Sequence, residues 1–541
     1  MRPLLTASEM EEADRLTTEQ FGIPSILLME NAAMAIADAA AMVLSDAVKG
    51  EKIVVVCGKG NNGGDGAAAA RLLWLKGARV RIFLLGNVEE TKGDARTNFE
   101  AARALHGRLS PRGGTIEFAE IPDIGTWKDA LSAEIQDSAV AIDALFGTGL
   151  ARPLEGDAAL AAEFLQTKGP HSEPQIISVD IPSGLAADSS EVYGPCVTAD
   201  LTVTFTAPKL ANVMPPAGSR NGDLEIADIG TPAELAEAVG SGTYISELSD
   251  AGEWLRKTAF TDISYKKKRG TVALVAGSSK YAGAAVLAAN GAIESGVGMV
   301  TLAVPKSALA AVTKRLRPEV ITVGISETSH GFASAGAFDD VADLLSSCDA
   351  VGIGCGLGSE EQTTRELVCR VIENRKCPVV IDADGLNSIA PMSFKGTSDA
   401  PLILTPHQGE FLRLLGTENK SAVENRISAV RKFSRDHSVI TVLKGPRSLV
   451  AEPGGKVVLV TSGNAGTGKA GNGDNLAGIL TGFVAQARRF SIDQFETSCA
   501  AVHIAGIAAD LAMDRIGTRS MLATDVRRYF AEAVRAIEEA V

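Results

Sequence analysis

Two successive series of short apolar runs alternate with alanine-rich segments, and this alternation constrains the fold more than any other feature. The first series predicts strands at Ile53–Val56, Val80–Leu85, Ala139–Ile142, Ile176–Val179 and Leu201–Thr206. A helix is predicted at Ala67–Lys76, between the first two strands. Apolar runs of this kind are typical of parallel strands that helices cover on both faces. We therefore predict an α/β domain with three layers.

The second series predicts another parallel sheet in the rest of the chain. Its strands are expected within Gly270–Ser279, Met299–Val304, Ala350–Gly354, Val379–Asp382, Leu402–Thr405, Val439–Lys444 and Val457–Thr461, followed by a long helix that begins near Asp474. A chain of 541 residues is too long for one hydrophobic core. The polar, mixed segment Ile226–Lys257 shows no strong strand and separates the two series. We predict two domains, at residues 1–235 and 246–541.

Composition excludes several classes of protein. The formal net charge is −14 with no sustained basic stripe, which argues against a nucleic-acid partner. Seven dispersed cysteines without a C-x-x-C pair indicate a reduced, cytoplasmic protein. No uninterrupted apolar stretch reaches the roughly 18 residues that a membrane helix needs, so no membrane partner is expected.

The stretch Cys57–Gly66, "CGKGNNGGDG", follows the first predicted strand. It contains G-x-G-x-x-G, the spacing of a dinucleotide-binding turn. That interpretation also requires an acidic residue at the end of the second strand, to bind the ribose hydroxyls. The second strand ends "FLLGN" and lacks the acid. Asn61, Asn62 and Asp65 are also more polar than a pyrophosphate turn requires, so the spacing alone is weak evidence.

Two further loops follow strands of the same predicted sheet. Asp143 ends one strand ahead of a Gly147-Thr148-Gly149 turn, and Asp180 ends another with Ser183 three residues later. Each alone could be a strand-end turn with an aspartate cap. Together the three loops favour a shared pocket. Side-chain oxygens of Asn62, Asp143 and Ser183 suit a hard cation, and the glycine amides suit phosphate.

Five motifs, "LLMENAA", "GKGNNGGDG", "DALFGTGL", "SVDIPSGL" and "TFTAPK", together resemble the epimerase domain of the NAD(P)H-hydrate repair enzymes, over roughly residues 1–230. The resemblance implies a Rossmann-like αβα domain and a K⁺ ion held by Asn62, Asp143 and Ser183. It implies that hydrated NAD(P)H is bound by Asn61, Asn62, Gly63, Gly64, Asp65, Gly147, Thr148, Gly149, Leu150, Ala151, Arg152, Pro153 and Asp180. Our hypothesis is that Asp180 moves the proton during epimerisation at C6. Thr206 stands where the family more often has glycine.

The second series contains a false phosphate loop. "GNAGTGKA", Gly463–Ala470, fits G-x-x-x-x-G-K but has alanine where a P-loop needs serine or threonine, and glycines follow it. The next residues are more informative, because Gly471 and Gly473 precede Asp474 and a long apolar helix. Amides at such a helix start bind anions, while Asp474 could accept a proton. The alternative is that Asp474 only caps the helix.

The G-x-G-D pattern resembles ribokinase-like enzymes. With "GTVALVAGSSKYAGAAVLAANGAIESGVGMVTLAVP", "GIGCGLGSE", "VVIDADGLN", "LILTPHQGEFLRLLG" and "VLKGPRSLV", it resembles the nucleotide-dependent NAD(P)H-hydrate dehydratase domain, over about residues 250–541. The resemblance implies that Asp474 is the catalytic base. It implies a nucleotide site at Lys444, Gly445, Pro446, Arg447, Ser448, Gly473 and Asp474, and a hydrated-cofactor site lined by Ala284, Gly356 and His407. Mg²⁺ is expected with the phosphates. Glu410 is either its ligand or a first-turn helix acid.

The two resemblances predict one bifunctional enzyme. The epimerase interconverts R- and S-NAD(P)HX, and the dehydratase restores NAD(P)H from the S form with ADP converted to AMP and phosphate. The fused arrangement favours ADP. We expect a homo-oligomer whose partners are NADHX or NADPHX and ADP. The alternative is a ribokinase-type small-molecule kinase with a non-catalytic N-terminal nucleotide-binding domain.

Overall fold

The computed structural model describes residues 1–150, 152–166 and 174–540, so the predicted site residue Ala151 lies outside the described residues. The chain divides into two compact units, one of residues 3–241 and one of residues 1–2 and 242–541. The division falls inside the predicted boundary interval 236–245. Both units contain sheets with helices, and the predicted α/β class is confirmed.

The N-terminal unit is built on a seven-stranded sheet in which every pairing is parallel. The chain starts with β1 (Arg2–Pro3), which belongs to the second sheet described below. The strands of the first sheet are β2 (Lys52–Cys57), β3 (Arg79–Leu85), β4 (Thr115–Ile121), β5 (Val140–Ala144), β6 (Gln175–Val179), β7 (Leu201–Phe205) and β8 (Asp223–Ala227). Their order is β4-β3-β2-β5-β6-β7-β8, so the winding direction reverses between β2 and β5. Ligands of open parallel sheets bind at such a reversal, beyond the carboxyl ends of the strands.

Helices cover both faces of this sheet. They are α1 (Ala7–Phe21), α2 (Ser25–Val43), α3 (Asn61–Lys76), α4 (Gly93–Leu105), α5 (Lys128–Gln136), α6 (Gly156–Phe164), α7 (Leu210–Val213) and α8 (Ala233–Val239). Because side chains alternate along a strand, Ile53 and Val55 pack with α2–α4, whereas Val54 and Val56 pack with α5 and α6. The helix α2 is the one described helix with the length and apolarity to cross a membrane, and 50% of its apolar window is buried inside the unit.

The C-terminal unit contains an eleven-stranded sheet. Its other strands are β9 (Thr243–Ile245), β10 (Thr271–Val275), β11 (Met299–Pro305), β12 (Ile321–Ile325), β13 (Ala350–Ile353), β14 (Val379–Ile381), β15 (Leu402–Leu404), β16 (Ile440–Leu443), β17 (Leu449–Ala451) and β18 (Val457–Leu459). The order is β1-β9-β18-β17-β16-β15-β14-β13-β10-β11-β12. Only the β16–β17 and β17–β18 pairs among those with described registers are antiparallel. The winding direction reverses between β10 and β13.

The helices of this unit are α9 (Leu248–Lys257), α10 (Ala282–Glu294), α11 (Lys306–Thr313), α12 (Ala337–Ser347), α13 (Gln362–Glu373), α14 (Asp384–Ser388), α15 (Gln408–Leu414), α16 (Arg426–His437), α17 (Asn472–Phe490), α18 (Gln494–Ile516), α19 (Ala523–Arg528) and α20 (Phe530–Ala540). Apolar residues of α9, α10, α17, α18 and α20 form one core with a face of the sheet. The prediction that Ile226–Lys257 holds no strong strand is wrong. Its residues Thr243–Ile245 pair with β18, and the strand is too short to show alternation.

Candidate active sites

The glycine-rich stretch after β2 is mostly helix, not loop. Helix α3 begins at Asn61, six residues before the predicted Ala67, and its N-cap is Gly60, which has no side chain to cap the first amides. The glycines permit close packing inside the helix. A Cβ atom at Gly63 would lie 1.9 Å from the carbonyl oxygen of Gly58, and one at Gly66 would lie 2.5 Å from Ala144 Cβ. Glycine's low helix propensity favours a loop here, but the close packing of these glycines against Gly58 and Ala144 stabilises the helix.

The uncapped start of α3 faces a cavity of about 1080 Å³ at the reversal between β2 and β5. The predicted residues that line it are Asn61, Asn62, Asp65, Gly147, Thr148, Gly149 and Asp180. Gly63, Gly64, Leu150, Arg152 and Pro153 are described but do not line it. Three loops from three strands therefore share one pocket, as the sequence predicted. A helix start without a side-chain cap is suited to phosphate.

Asp180 lies in a strained, buried position at this cavity. Its φ is +65°, in the left-handed region that non-glycine residues seldom adopt. Its Oδ1 accepts hydrogen bonds from Lys209 Nζ at 2.7 Å and from Thr204 Oγ1 at 2.9 Å. A Cβ at Gly147 would lie 3.1 Å from Asp180 Oδ2 and 2.7 Å from Asn62 Oδ1. Oδ2 is thus the oxygen nearest the glycine turn, and the turn approaches it closely because residue 147 has no side chain.

Two more carboxyl groups surround Asp180. Burial raises the pKa of Asp65 well above its usual range, and the charges of Asp180 and Asp14 add to the shift. Burial also raises the pKa of Asp14 to about 6, with Lys209 opposing and Asp180 increasing the shift. Asp14 Oδ1 is buried without a hydrogen-bond partner among the described residues. The cavity therefore gathers carboxyl groups in different electrostatic surroundings, two with raised pKa values and one paired with Lys209, an arrangement suited to acid–base chemistry.

Asp143 and Ser183 come together beside the cavity, where the resemblance predicts a K⁺ ion. Asp143 is fully buried, and burial raises its pKa. Its oxygens accept hydrogen bonds from Ser183 Oγ at 2.6 Å, Ser178 Oγ at 2.8 Å and the Ser183 amide at 2.9 Å, all uncharged donors. No described lysine or arginine pairs with it. Asn62 Nδ2 is buried without a described partner. The carboxylate and hydroxyl oxygens of Asp143 and Ser183 are of the type that binds hard cations, so these two residues fit a monovalent cation.

The second constellation lies at the carboxyl edge of the C-terminal sheet. Lys444 Nζ is 2.7 Å from Asp382 Oδ1, which also accepts a hydrogen bond from Thr405 Oγ1 at 2.7 Å. One ligand atom each of Asp382, Asp474 and Cys355 lies within 4.8 Å of the others. A Cβ at Gly473 would lie 3.3 Å from Lys444 Nζ. Residues that follow β13, β14, β15 and β16 thus converge with the start of α17.

Asp474 does not cap its helix. Helix α17 begins at Asn472 with Gly471, φ +95°, as N-cap and no side-chain cap, so Asp474 is the third helical residue. Burial raises the pKa of Asp474 to about 6; the Asp382 charge adds to the shift, while the Cys355 thiol and Lys444 oppose it. A carboxylate with this pKa is mostly ionised at neutral pH and still basic enough to take a proton. The predicted anion site and base therefore coincide at one helix start.

The residues predicted to line the hydrated-cofactor site come from two parts of the chain, and both parts adjoin residues of the Asp474 cluster. Ala284 and Gly356 meet at the reversal between β10 and β13, since a Cβ at Gly356 would lie 2.8 Å from Ala284 Cβ. His407 is the N-cap of α15 in a reciprocal capping box with Glu410, whose Oε2 accepts from the His407 amide at 2.8 Å. The alternative that Glu410 is a first-turn helix acid therefore fits the described contacts. His407 is adjacent to Lys444 through a backbone bridge, near the Asp474 cluster.

The predicted nucleotide loop Lys444–Ser448 connects β16 to β17. Arg447 adopts φ +53°, and its guanidinium donates to the Thr461 carbonyl. The Pro446 carbonyl accepts from Arg426 at 2.7 Å, while a Cβ at Gly445 would lie 2.8 Å from the same guanidinium. Burial lowers the pKa of Arg447 and of Arg426. Two half-buried guanidinium groups hold this loop, whose first residue, Lys444, belongs to the Asp474 cluster.

The rejected phosphate loop forms no phosphate cradle in this structure. Lys469 donates to the Met521 carbonyl at 3.0 Å, and Ala465–Thr467 is a short 3₁₀ turn. The helix begins only at Asn472.

Sequence reasoning missed four groups at the two sites. Lys209 lies inside the motif "TFTAPK", four residues after the end of β7, and Asp382 lies inside "VVIDADGLN", directly after β14; these strand-end motifs were a usable signal. Cys355 had none, because a lone cysteine in a glycine turn is usually structural. Asp14 shares a helix face with the buried Met10, and its i, i+4 spacing indicated partial burial.

Comparison with known proteins covers both units. A family described as YjeF-related protein N-terminus matches residues 25–211, and a family described as NAD(P)H-hydrate dehydratase matches residues 272–532. The bifunctional NAD(P)H-hydrate repair enzyme of Moorella thermoacetica is 35% identical over 99% of this chain and 98% of its own length. The enzyme of that name from Salinibacter ruber is 35% identical over 97% and 94%.

The chain belongs to the bifunctional NAD(P)H-hydrate repair enzyme family. This family relationship covers both units. Among solved structures, the ADP/ATP-dependent NAD(P)H-hydrate dehydratase from Bacillus subtilis, co-crystallised with ATP and Mg²⁺, is 26% identical. It covers 55% of this chain and 100% of its own, with a TM-score of 0.48. The family's two parts correspond to the two constellations around Asp180 and Asp474.

Proposed function

We propose that this chain repairs hydrated NAD(P)H in two steps, epimerisation in the N-terminal unit and ADP-dependent dehydration in the C-terminal unit. One observation carries the proposal. In each unit a buried carboxylate lies beyond the carboxyl ends of parallel strands, close to a helix start without a side-chain cap: Asp180 near α3 and Asp474 in the first turn of α17. The proposed domains are residues 1–235 and 246–541.

For epimerisation, the hydroxyl at C6 of the hydrated ring must leave one face and return to the other. We propose that Asp180 Oδ2 is the acid–base atom, since Lys209 and Thr204 occupy Oδ1. Asp14, with its pKa near neutrality and a free carboxylate oxygen, is suited to give the second proton transfer. The amides at the start of α3 would bind the pyrophosphate, and Thr148 and Gly149 would contact it from the facing loop.

The cation site would contribute charge and not a chemical step. Asn62, Asp143 and Ser183 would hold K⁺, whose positive charge would balance the buried carboxylate and the bound phosphates. Every proton transfer proposed above is made by this chain's own carboxyl groups.

For dehydration, we propose that Asp474 accepts the proton of the C6 hydroxyl while the hydroxyl oxygen attacks the terminal phosphoryl group of ADP. The attack breaks the bond between the β-phosphorus and the bridging oxygen, and AMP leaves with that oxygen. Phosphate, a better leaving group than hydroxide, then departs from C6 as the ring nitrogen donates its electron pair, and loss of a proton from C5 forms the C5–C6 double bond of NAD(P)H. Lys444 and the first amides of α17 would stabilise the phosphoryl charge. Mg²⁺ would be held mainly by the phosphates, with the carboxylates of Asp382 and Asp474 beside it.

The test uses the full chain, a mixture of R- and S-NADHX, ADP and Mg²⁺. We expect complete return of NADH absorbance with equimolar AMP and phosphate. The variant Asp180→Asn should stop near the fraction of S epimer, and Asp474→Asn should restore almost none. A phosphorylated product that accumulates without NADH would identify the kinase alternative. Full conversion by Asp180→Asn, faster than spontaneous epimerisation, would remove Asp180 from the mechanism.

A further inference from the structure

Two buried cysteines lie in contact at the amino ends of β13 and β14, at the edge of the sheet away from Asp474. Their sulfur atoms, Cys348 Sγ and Cys377 Sγ, are 3.8 Å apart. Cys348 follows α12 as its C-cap, and Cys377 precedes β14. A disulfide requires an S–S distance of about 2.05 Å, so the two sulfurs need to approach by less than 2 Å. Parallel pairing of β13 with β14 already fixes the two chain segments side by side.

The surroundings make the two thiols unequal. Arg488, on α17, donates to the Lys376 carbonyl at 3.0 Å and faces the peptide groups at Cys348. The Cys348 thiol lowers the pKa of Cys377 most, and Arg488 lowers it further, against the opposing effect of burial. The pKa of Cys348 is raised by Cys377 and by burial. Cys377 is therefore the sulfur better suited to react as a thiolate, with Cys348 in place to resolve it.

This pairing distinguishes the two residues from the rest of the cysteines. All seven cysteines are unbridged. In the part of the chain that the structure describes, no second pair of thiols makes a mutual contact. Exposed residues flank both members, since Ser347 and Lys376 lie at the surface. A small oxidant therefore needs only a local opening at the α12–β13 junction to reach them.

We propose that Cys348 and Cys377 form a redox-sensitive modification site that closes to an intramolecular disulfide under peroxide. The Cys377 thiolate attacks one oxygen of hydrogen peroxide, which breaks the O–O bond and gives a sulfenic acid and hydroxide. The Cys348 sulfur then displaces the sulfenic hydroxyl as its own proton is released. In sum, two thiols and one peroxide give one disulfide and two waters, with two electrons passing from sulfur to oxygen.

The bond would connect two strands that carry residues of the dehydratase site. β13 leads to Cys355 and Gly356, and β14 leads to Asp382. A link between their amino ends restricts the unfolded chain and leaves the carboxyl edge in place. The oxidised C-terminal unit should therefore unfold at a higher temperature than the reduced unit.

The experiment treats the full chain with a small excess of hydrogen peroxide, alkylates remaining thiols under denaturing conditions and maps peptides by mass spectrometry. We expect a Cys348–Cys377 linked peptide that dithiothreitol removes. The thermal transition that ADP shifts upward should rise by about 5–10 °C on oxidation. In Cys348→Ser, Cys377 should stop at the sulfenic acid, which dimedone traps.

Cys369→Ser is the matched control, because Cys369 is the more accessible thiol of the same unit and has no thiol partner. This variant should still form the linked peptide. The proposal is overturned if Cys369 is oxidised while Cys348 and Cys377 remain fully alkylatable, or if the only cross-link joins two chains. Should Cys348→Ser fail to fold, the peptide map of the unmodified chain decides alone.

Discussion

Asp474→Asn should abolish dehydratase activity and at the same time stabilise the C-terminal unit. Burial raises the pKa of Asp474 from its ordinary 3.8 to about 6. As the pH rises, the unfolded chain therefore loses this proton before the folded chain does. The ionised carboxylate consequently disfavours folding above about pH 6, and the effect fades as the pH falls toward the unfolded value.

The magnitude follows from the shift. About two pKa units correspond to about 3 kcal/mol at pH 7.5, and linkage reduces the difference to about 1 kcal/mol at pH 4.5. Asparagine keeps the shape without the charge, and the Lys444–Asp382 pair remains intact. Asp474→Asn should thus gain up to about 3 kcal/mol in unfolding free energy at pH 7.5, and lose about 10²–10⁴-fold in kcat as the base is removed.

The first assay measures thermal unfolding of the full chain at pH 7.5 and at pH 4.5, and follows the transition whose midpoint ADP raises. The second assay measures kcat from the return of NADH absorbance. Asp262→Asn, at an exposed position of the same unit, is the control and should shift stability by less than about 0.5 kcal/mol. A variant that is destabilised at pH 7.5 would refute burial as the cause of the raised pKa. Activity within a few-fold of the parent would refute the role as base.

Three further changes test the N-terminal unit. Lys209→Met leaves the partner carboxylate buried and unpaired, so the unfolding free energy should fall by about 3–5 kcal/mol; an unchanged melting curve would contradict this. Gly147→Ala puts a Cβ 2.7 Å from Asn62 Oδ1, whereas Gly149→Ala meets no heavy atom within 4 Å. Epimerase kcat/KM should fall at least about tenfold in the first and less in the second, whose added methyl group crowds no protein atom, with dehydratase rates equal in both. Thr206→Gly relieves φ +62° and removes a buried hydroxyl without a described partner, so denaturant unfolding should show a gain of about 1 kcal/mol and not a loss.

The strands predicted correctly are those buried on both faces. Lys52–Cys57 and Val140–Ala144 are apolar except at Lys52 and Asp143, because helices cover the sheet on each side. Thr115–Ile121 and Asp223–Ala227 were missed, since they are edge strands with exposed or half-buried positions and mixed composition. The edge strand Ile321–Ile325 was missed for the same reason, while Thr243–Ile245 and the fully buried Leu449–Ala451 were missed because three residues show no period. A longer strand that is buried on both faces shows a continuous apolar run in the local sequence. Whether a strand lies at the edge of a sheet depends instead on which other strands pair with it.

The sequence by itself determined the α/β class, the division near residue 240 and the strand-end loops where chemistry can occur. These properties depend on local hydrophobic pattern and turn residues. Only the tertiary structure decided that the glycines after Asn61 are helical, that Lys209 pairs with Asp180, and that Asp382, Cys355 and Asp474 converge. Each of these depends on distances between residues far apart in the chain. Desolvation and neighbouring charge set the pKa values of the acids, and both arise only when the strands pack side by side.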